Sequence, residues 1–152
     1  MKNSGIDKQE LIRLFKGILA AKVATLLAAI EDAQDSANGE EKSSAGDKYE
    51  TGREMSRQSR DMYANQLLVA QRDLAIFNKI KADPKTTVDV GSLVCVNGNY
   101  YFVSLACGKV VINGTEVMAL SQVSPFVQKL KGMKAGDHAM LNGKKMQIDS
   151  VS

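Results

Sequence analysis

Between residues 31 and 54 the chain reads EDAQDSANGEEKSSAGDKYETGRE. Eight carboxylates (Glu31, Asp32, Asp35, Glu40, Glu41, Asp47, Glu50, Glu54) face three bases (Lys42, Lys48, Arg53), a net charge of −5. Carboxylate oxygens are the ligands that hard divalent cations take. Placed at the end of a narrow projection, this segment could deliver negative charge, or a bound cation, to a distant place. Solvated helix faces are also acid-rich, and acids suit helix N-termini, so composition alone leaves both readings open.

Other chemistries find little support. The chain has one histidine, His138, and two cysteines, Cys95 and Cys107, in different strand-like runs. Neither a Ser/His/Asp nor a Cys/His constellation is visible, and no zinc-ligand spacing occurs. With no Trp and eight Tyr and Phe together, a large aromatic ligand pocket is not expected. The chain therefore reads as no self-contained enzyme, with no small-molecule substrate. Its two cysteines fit free thiols in a reducing compartment. No run reaches the roughly 18 apolar residues of a membrane span, and MKNSGIDKQE lacks the apolar run of a signal peptide. A soluble cytoplasmic protein without a membrane partner is expected. The net charge of +3 is too small to indicate nucleic-acid binding, but it is unevenly placed. Residues 1–84 carry 13 bases and 13 acids, residues 85–152 seven and four.

The elements that would position the acids are legible from periodicity. Ile12, Phe15, Leu19, Val23, Leu26, Ile30 and Ala33 recur three or four apart, predicting a helix over about 6–36. Asp7 is a candidate cap, with Glu10 completing a capping box. Asn38-Gly39 is expected to stop that helix. A second helix, over about 45–82, carries a coiled-coil seam at Tyr63, Leu67, Ala70, Leu74 and Phe77, flanked by Met55, Met62, Val69 and Ile76. The seam weakens at Ser56, Ser59 and Arg60, and Asp83-Pro84 is expected to end the helix. From residue 85 the period changes. Asn97-Gly98, Asn113-Gly114 and Asn142-Gly143 each join two β-rich runs, a strong hairpin signal because both central residues of that turn need positive φ. Ser124-Pro125 to Leu130 reads as a short helix with Pro in its first turn. The expected fold is α+β: an antiparallel coiled-coil hairpin over 1–84 with an acidic tip near 36–48, then a small antiparallel β domain with one short helix over 85–152.

Ser124–Asp137, SPFVQKLKGMKAGD, fits the pattern S-P-x-x-x-x-L-x-G-x-K-x-G-D at Ser124, Pro125, Leu130, Gly132, Lys134, Gly136 and Asp137. With the order of elements, it resembles the Gre family of bacterial transcript-cleavage factors. Tyr49 and Arg53-Glu54 are similar to that family's helix just past the tip. The resemblance spans nearly the whole chain and implies an FKBP-like C-terminal domain that binds the RNA polymerase core enzyme at its secondary channel. Ser124, Pro125, Lys129, Lys131, Lys134 and Asp137 become candidate docking residues, and Arg53 a candidate contact with polymerase or RNA. The resemblance also implies that the hairpin reaches the backtracked RNA 3′ end. Tip carboxylates, here Glu40, Glu41 and Asp47, would then share a Mg²⁺ with the polymerase. Two divalent ions stabilise the attacking and leaving oxygens of phosphodiester hydrolysis.

One departure qualifies the chemistry. Aligning Tyr49 and Arg53-Glu54 without a gap puts Lys42 and Ala45 where cleavage factors carry carboxylates, and neither side chain binds Mg²⁺. Asp47-Lys48-Tyr49-Glu50 keeps an Asp-x-x-Glu spacing further into the helix. Three readings follow: a Gre-like factor that stimulates cleavage, a non-cleaving channel regulator, and a coiled-coil interaction protein unrelated to transcription.

Overall fold

A computed structural model describes residues 5–40 and 46–152, with side chains over 5–35 and 54–152. Helix α1 spans Lys8–Glu40 and α2 spans Gly46–Phe77. Strands β1 (Leu93–Val96), β2 (Asn99–Ser104), β3 (Gly108–Ile112) and β4 (Thr115–Ser121) precede helix α3 (Pro125–Leu130), and β5 (His138–Leu141) and β6 (Lys144–Val151) close the chain. This is the expected α+β order.

The chain forms two compact units, Leu19–Ala75 and Met1–Ile18 with Ile76–Ser152. The second unit therefore holds the first turns of α1 and the end of α2 together with the sheet. Its six strands run in the order β3-β4-β2-β1-β6-β5. All three Asn-Gly pairs form the expected turns, with φ of 49°, 51° and 53° at Asn97, Asn113 and Asn142, each followed by a positive-φ glycine. The sheet is not wholly antiparallel, however, because β2 and β4 run parallel from Tyr100↔Val117 to Ser104↔Ser121. Local turns fix only hairpin partners. The β3–β4 hairpin docks through its second strand and leaves β3 at the edge, a non-local choice that no turn encodes.

β1 lies in the middle of the sheet and is buried at all four positions. Its side chains alternate between the two faces, and both faces are covered, which is why the run LVCV lacks a polar alternation. On one face Val94, Val96, Val103 and Ile148 pack with Val127 and Leu130 of α3. On the other, Phe102 meets Phe15 of α1 and Phe77 of α2, all three wholly buried. The ring centroids stand 6.1–6.2 Å apart, with Phe15 and Phe102 nearly parallel at 7° and Phe77 tilted by about 60° to both. Offset and tilted pairs are the favoured aromatic arrangements.

Helix boundaries depart from the periodicity in three places. Asp7 does cap α1, its Oδ1 accepting from Gln9 N at 3.0 Å. Glu10 does not complete the capping box, because its carboxylate pairs with Arg13 one turn ahead. Asn38-Gly39 does not stop α1, which continues to Glu40. α2 ends at Phe77 rather than near residue 82, and Lys79 N and Ile80 N instead donate to the carbonyls of Ile76 and Phe77, three residues back. With Phe77 fixed in the aromatic cluster, the following chain turns away and runs without regular secondary structure through residue 85.

That chain is held by Lys8. Its Nζ donates to the carbonyls of Asp83, at 2.7 Å, and Gly91, at 2.8 Å. Gly91 sits at φ 89°, a conformation that favours glycine, although a Cβ there would make only ordinary contact, 3.5 Å from the Lys81 carbonyl. Desolvation, reinforced by the nearby Lys85 ammonium and opposed by Asp83, pushes the Lys8 pKa down from 10.5 to about 8.

In the helical unit, Leu19, Leu26 and Ala70 are buried, whereas the flanking Met55, Met62 and Val69 are 47–63% exposed. The seam thus points inward and its flank outward. No helix among the described residues is long and apolar enough to cross a membrane.

Two measurements probe this construction. Phe15→Ala empties the centre of a three-ring contact and is expected to lower unfolding free energy by about 3–5 kcal/mol, read from urea denaturation. Between about pH 8 and 10.5 the unfolded chain retains a Lys8 proton that the folded chain has released, so folding becomes more favourable as pH rises through that window. Wild type should accordingly gain stability relative to Lys8→Met over that range, and parallel pH profiles for the two would refute the assignment.

Candidate functional site

The Ser124–Asp137 segment lies wholly within the sheet-bearing unit. Ser124 is the N-cap of α3, its Oγ accepting from Val127 N at 3.2 Å, and Pro125 occupies the first turn, where its missing N–H costs nothing. Leu130 is 2% exposed and belongs to the core. Gly132 and Gly136 adopt φ of 84° and 95°, in the region that favours glycine. Asp137 accepts from Lys134 N through Oδ2 at 3.0 Å, while Asp137 N donates to Lys134 O at 3.0 Å, closing the turn. Gly132 N donates to Val88 O, and Gly136 N to Ile148 O, tying the segment to the chain entering the sheet and to β6.

Nearly every fixed residue of the pattern therefore shapes the backbone. Ser124, Pro125 and Asp137, singled out as docking candidates, have these local roles in the fold. Lys129, Lys131 and Lys134 are exposed. They are the pattern's side chains free to meet a partner, and clustered charge of one sign steers association.

The acidic candidates lie at the other end of the helices. Glu40 closes α1 and Asp47 lies in the first turn of α2, but the side chains of Glu40, Asp47 and Arg53, and the whole of Glu41, fall outside the described residues. Lys42 and Ala45 do so too. Among the described residues no group of three His, Cys, Asp or Glu is placed to hold a metal ion.

Where the seam was seen to weaken, the helices leave a cleft of about 340 Å³ lined by Ala29, Ala33, Met55, Ser56, Ser59 and Tyr63, with Asp32 beside it. Small side chains on both helices leave the gap. Arg60, one of the residues at which the seam weakens, donates from Nη1 to Gln34 Oε1 at 2.8 Å and pairs with Asp61, bracing the two helices. Sequence reasoning missed that role because it depends on which residue of α1 faces Arg60.

His138 begins β5, exposed and without neighbouring ligand residues among those described. Cys95 and Cys107 form no disulfide. Burial, and then the Asp149 carboxylate beside it, pushes the Cys95 thiol pKa up, the opposite of what a nucleophile needs.

No protein-family model and no curated protein matches the chain. Solved structures similar to it include two of the same protein. The crystal structure of GreA factor homolog 1 (Gfh1) protein of Thermus thermophilus is 17% identical, with a TM-score of 0.35 over 90% of this chain and 94% of that one. A structure of the transcription factor Gfh1 is 17% identical, with a TM-score of 0.33 over 92% of each chain. Likeness at this level fixes neither partner nor activity.

The local roles are open to measurement. Ser124→Ala removes a cap and is expected to lower stability by about 1 kcal/mol. Asp137→Ala removes the acceptor that closes the turn and should cost about 1–3 kcal/mol, whereas Lys134→Ala should stay within about 0.5 kcal/mol. Equal effects at Asp137 and Lys134 in chemical denaturation would contradict this division.

Proposed function

We propose that the protein is a Gre-like transcription factor that binds the RNA polymerase core enzyme through its secondary channel and modulates elongation. The observation that carries this reading is the Ser124–Asp137 pattern, in which cap, proline, core leucine, two positive-φ glycines and turn-closing aspartate each occupy the position their chemistry requires. It supports the family resemblance because the whole pattern, rather than scattered matches, is used by the fold. In this reading Lys129, Lys131 and Lys134 contribute to docking, and the helical unit presents residues 36–48 to the channel.

The donor set at the tip suits Mg²⁺, since Glu40, Glu41 and Asp47 offer the oxygen ligands that ion takes. When bound together with the polymerase's own ion, Mg²⁺ would stabilise the oxygens of RNA hydrolysis. This chain's part is to bring the carboxylates to the backtracked 3′ end. Lys42 and Ala45 favour a second reading, a regulator that occupies the channel without cleavage. An ammonium at the tip lowers the local negative charge available to a divalent cation.

Two experiments separate the readings. Core polymerase should copurify with the full chain at low salt, and a Lys129→Glu, Lys131→Glu, Lys134→Glu variant should lose at least about tenfold in affinity, as removal and reversal of three exposed charges requires. Absence of any association would sink both channel readings. On stalled, backtracked complexes, cleavage that disappears in Glu40→Ala, Glu41→Ala, Asp47→Ala supports the metal-sharing tip. Cleavage that survives that variant refutes the ligand assignment, and binding without cleavage selects the non-cleaving regulator.

A further inference from the structure

The chain between α2 and β1 borders a cavity of about 320 Å³, entirely within the sheet-bearing unit and remote in sequence from the acidic segment, with Gln122 in its lining just before the Ser124–Asp137 pattern. Lys79, Lys81 and Lys85 line it, against one carboxylate, Asp83. A fourth ammonium, that of Lys8, is close enough to interact with Lys85, and two of its three donors are held by the Asp83 and Gly91 carbonyls. It adds charge from outside the cavity lining. Ile76 and Ile80 supply an apolar wall, and Ser104, 2% exposed, supplies a buried hydroxyl. That hydroxyl donates to the adjacent Leu105 carbonyl at 3.5 Å, the weak end of the hydrogen-bond range, so it retains capacity for a better partner.

Concentrated positive charge beside an apolar wall and an underused buried hydroxyl is the combination that a phosphorylated, partly apolar small molecule needs. The volume falls at the lower end of small-ligand sites, about 300–1,000 Å³. We propose that this cavity binds a nucleoside polyphosphate. The phosphates lie on Lys79, Lys81 and Lys85, the nucleoside packs against Ile76 and Ile80, and Ser104 Oγ bonds one of its polar atoms. An inorganic polyphosphate would use the lysines alone. The apolar wall and the buried hydroxyl favour the nucleotide.

The test is calorimetric titration of the full chain with ATP and GTP, alongside inorganic pyrophosphate and a single-stranded oligonucleotide. Saturable nucleotide binding is expected, weakened at least about tenfold in Lys79→Gln, Lys81→Gln, Lys85→Gln, because three charge contacts are lost. Lys144→Gln, Lys145→Gln, at exposed positions outside the cavity, should bind as wild type does. Lys79→Glu, at an exposed position of the lining, gives an independent readout should the triple variant fold poorly, and it too should weaken binding. No saturable binding, equal loss in the Lys144/Lys145 control, or unchanged binding in the cavity variants would overturn the proposal. Pyrophosphate binding as tightly as nucleotide would overturn the nucleoside assignment. Tighter binding of the oligonucleotide through the same lysines would reassign the cavity to nucleic acid.

Discussion

The contact of Phe15, Phe77 and Phe102 is the constraint on which much of the sheet-bearing unit depends. One ring comes from the second turn of α1, one from the last residue of α2 and one from β2, and all three are fully buried. These three side chains join segments that are distant in sequence, so the two helix ends and the sheet face share one core. Aromatic side chains suit such a junction because each carries a large apolar area on two rotatable bonds. The early end of α2 is consistent with the same contact: Phe77 is held, and the following residues turn toward Lys8 and Gly91.

Lys8 shows how the same corner handles polarity. An ammonium partly removed from water needs acceptors, and two backbone carbonyls supply them. Both belong to chain without regular secondary structure, whose backbone groups need partners of their own. The bond therefore satisfies three polar groups with one side chain and anchors the segment leading from helix to sheet. It also leaves Lys8 beside Lys85, which concentrates positive charge near the cavity lined by Lys79, Lys81 and Lys85.

The two ends of the functional reading differ in kind. At the Ser124–Asp137 segment a sequence pattern has become geometry, and most of its residues specify backbone shape while three exposed lysines are left for a partner. At the acidic segment the reading rests on charge and ligand chemistry, because the relevant side chains lie outside the described residues. The cleft at Ser56 and Ser59 lies between these ends in the chain's order, where small polar residues replace apolar seam positions.

Local physics was legible in the sequence. Three Asn-Gly turns, the Asp7 cap, the Ser124-Pro125 helix start, the apolar face of α1 at Leu19 and Leu26 and the α2 seam at Ala70 and Phe77 all depend on residues within a few positions of one another, or on simple periodicity. Glu10 looked equally local, yet Arg13 offered its carboxylate a stronger, charge-assisted partner than a backbone N–H. What only the tertiary structure decided was non-local: the parallel pairing of β2 with β4, the end of α2 at Phe77, the Arg60–Gln34 brace and the Lys8 anchor. Each depends on which distant segment arrives beside a residue. That choice is made by burial summed over the whole core, and no short window of sequence contains it.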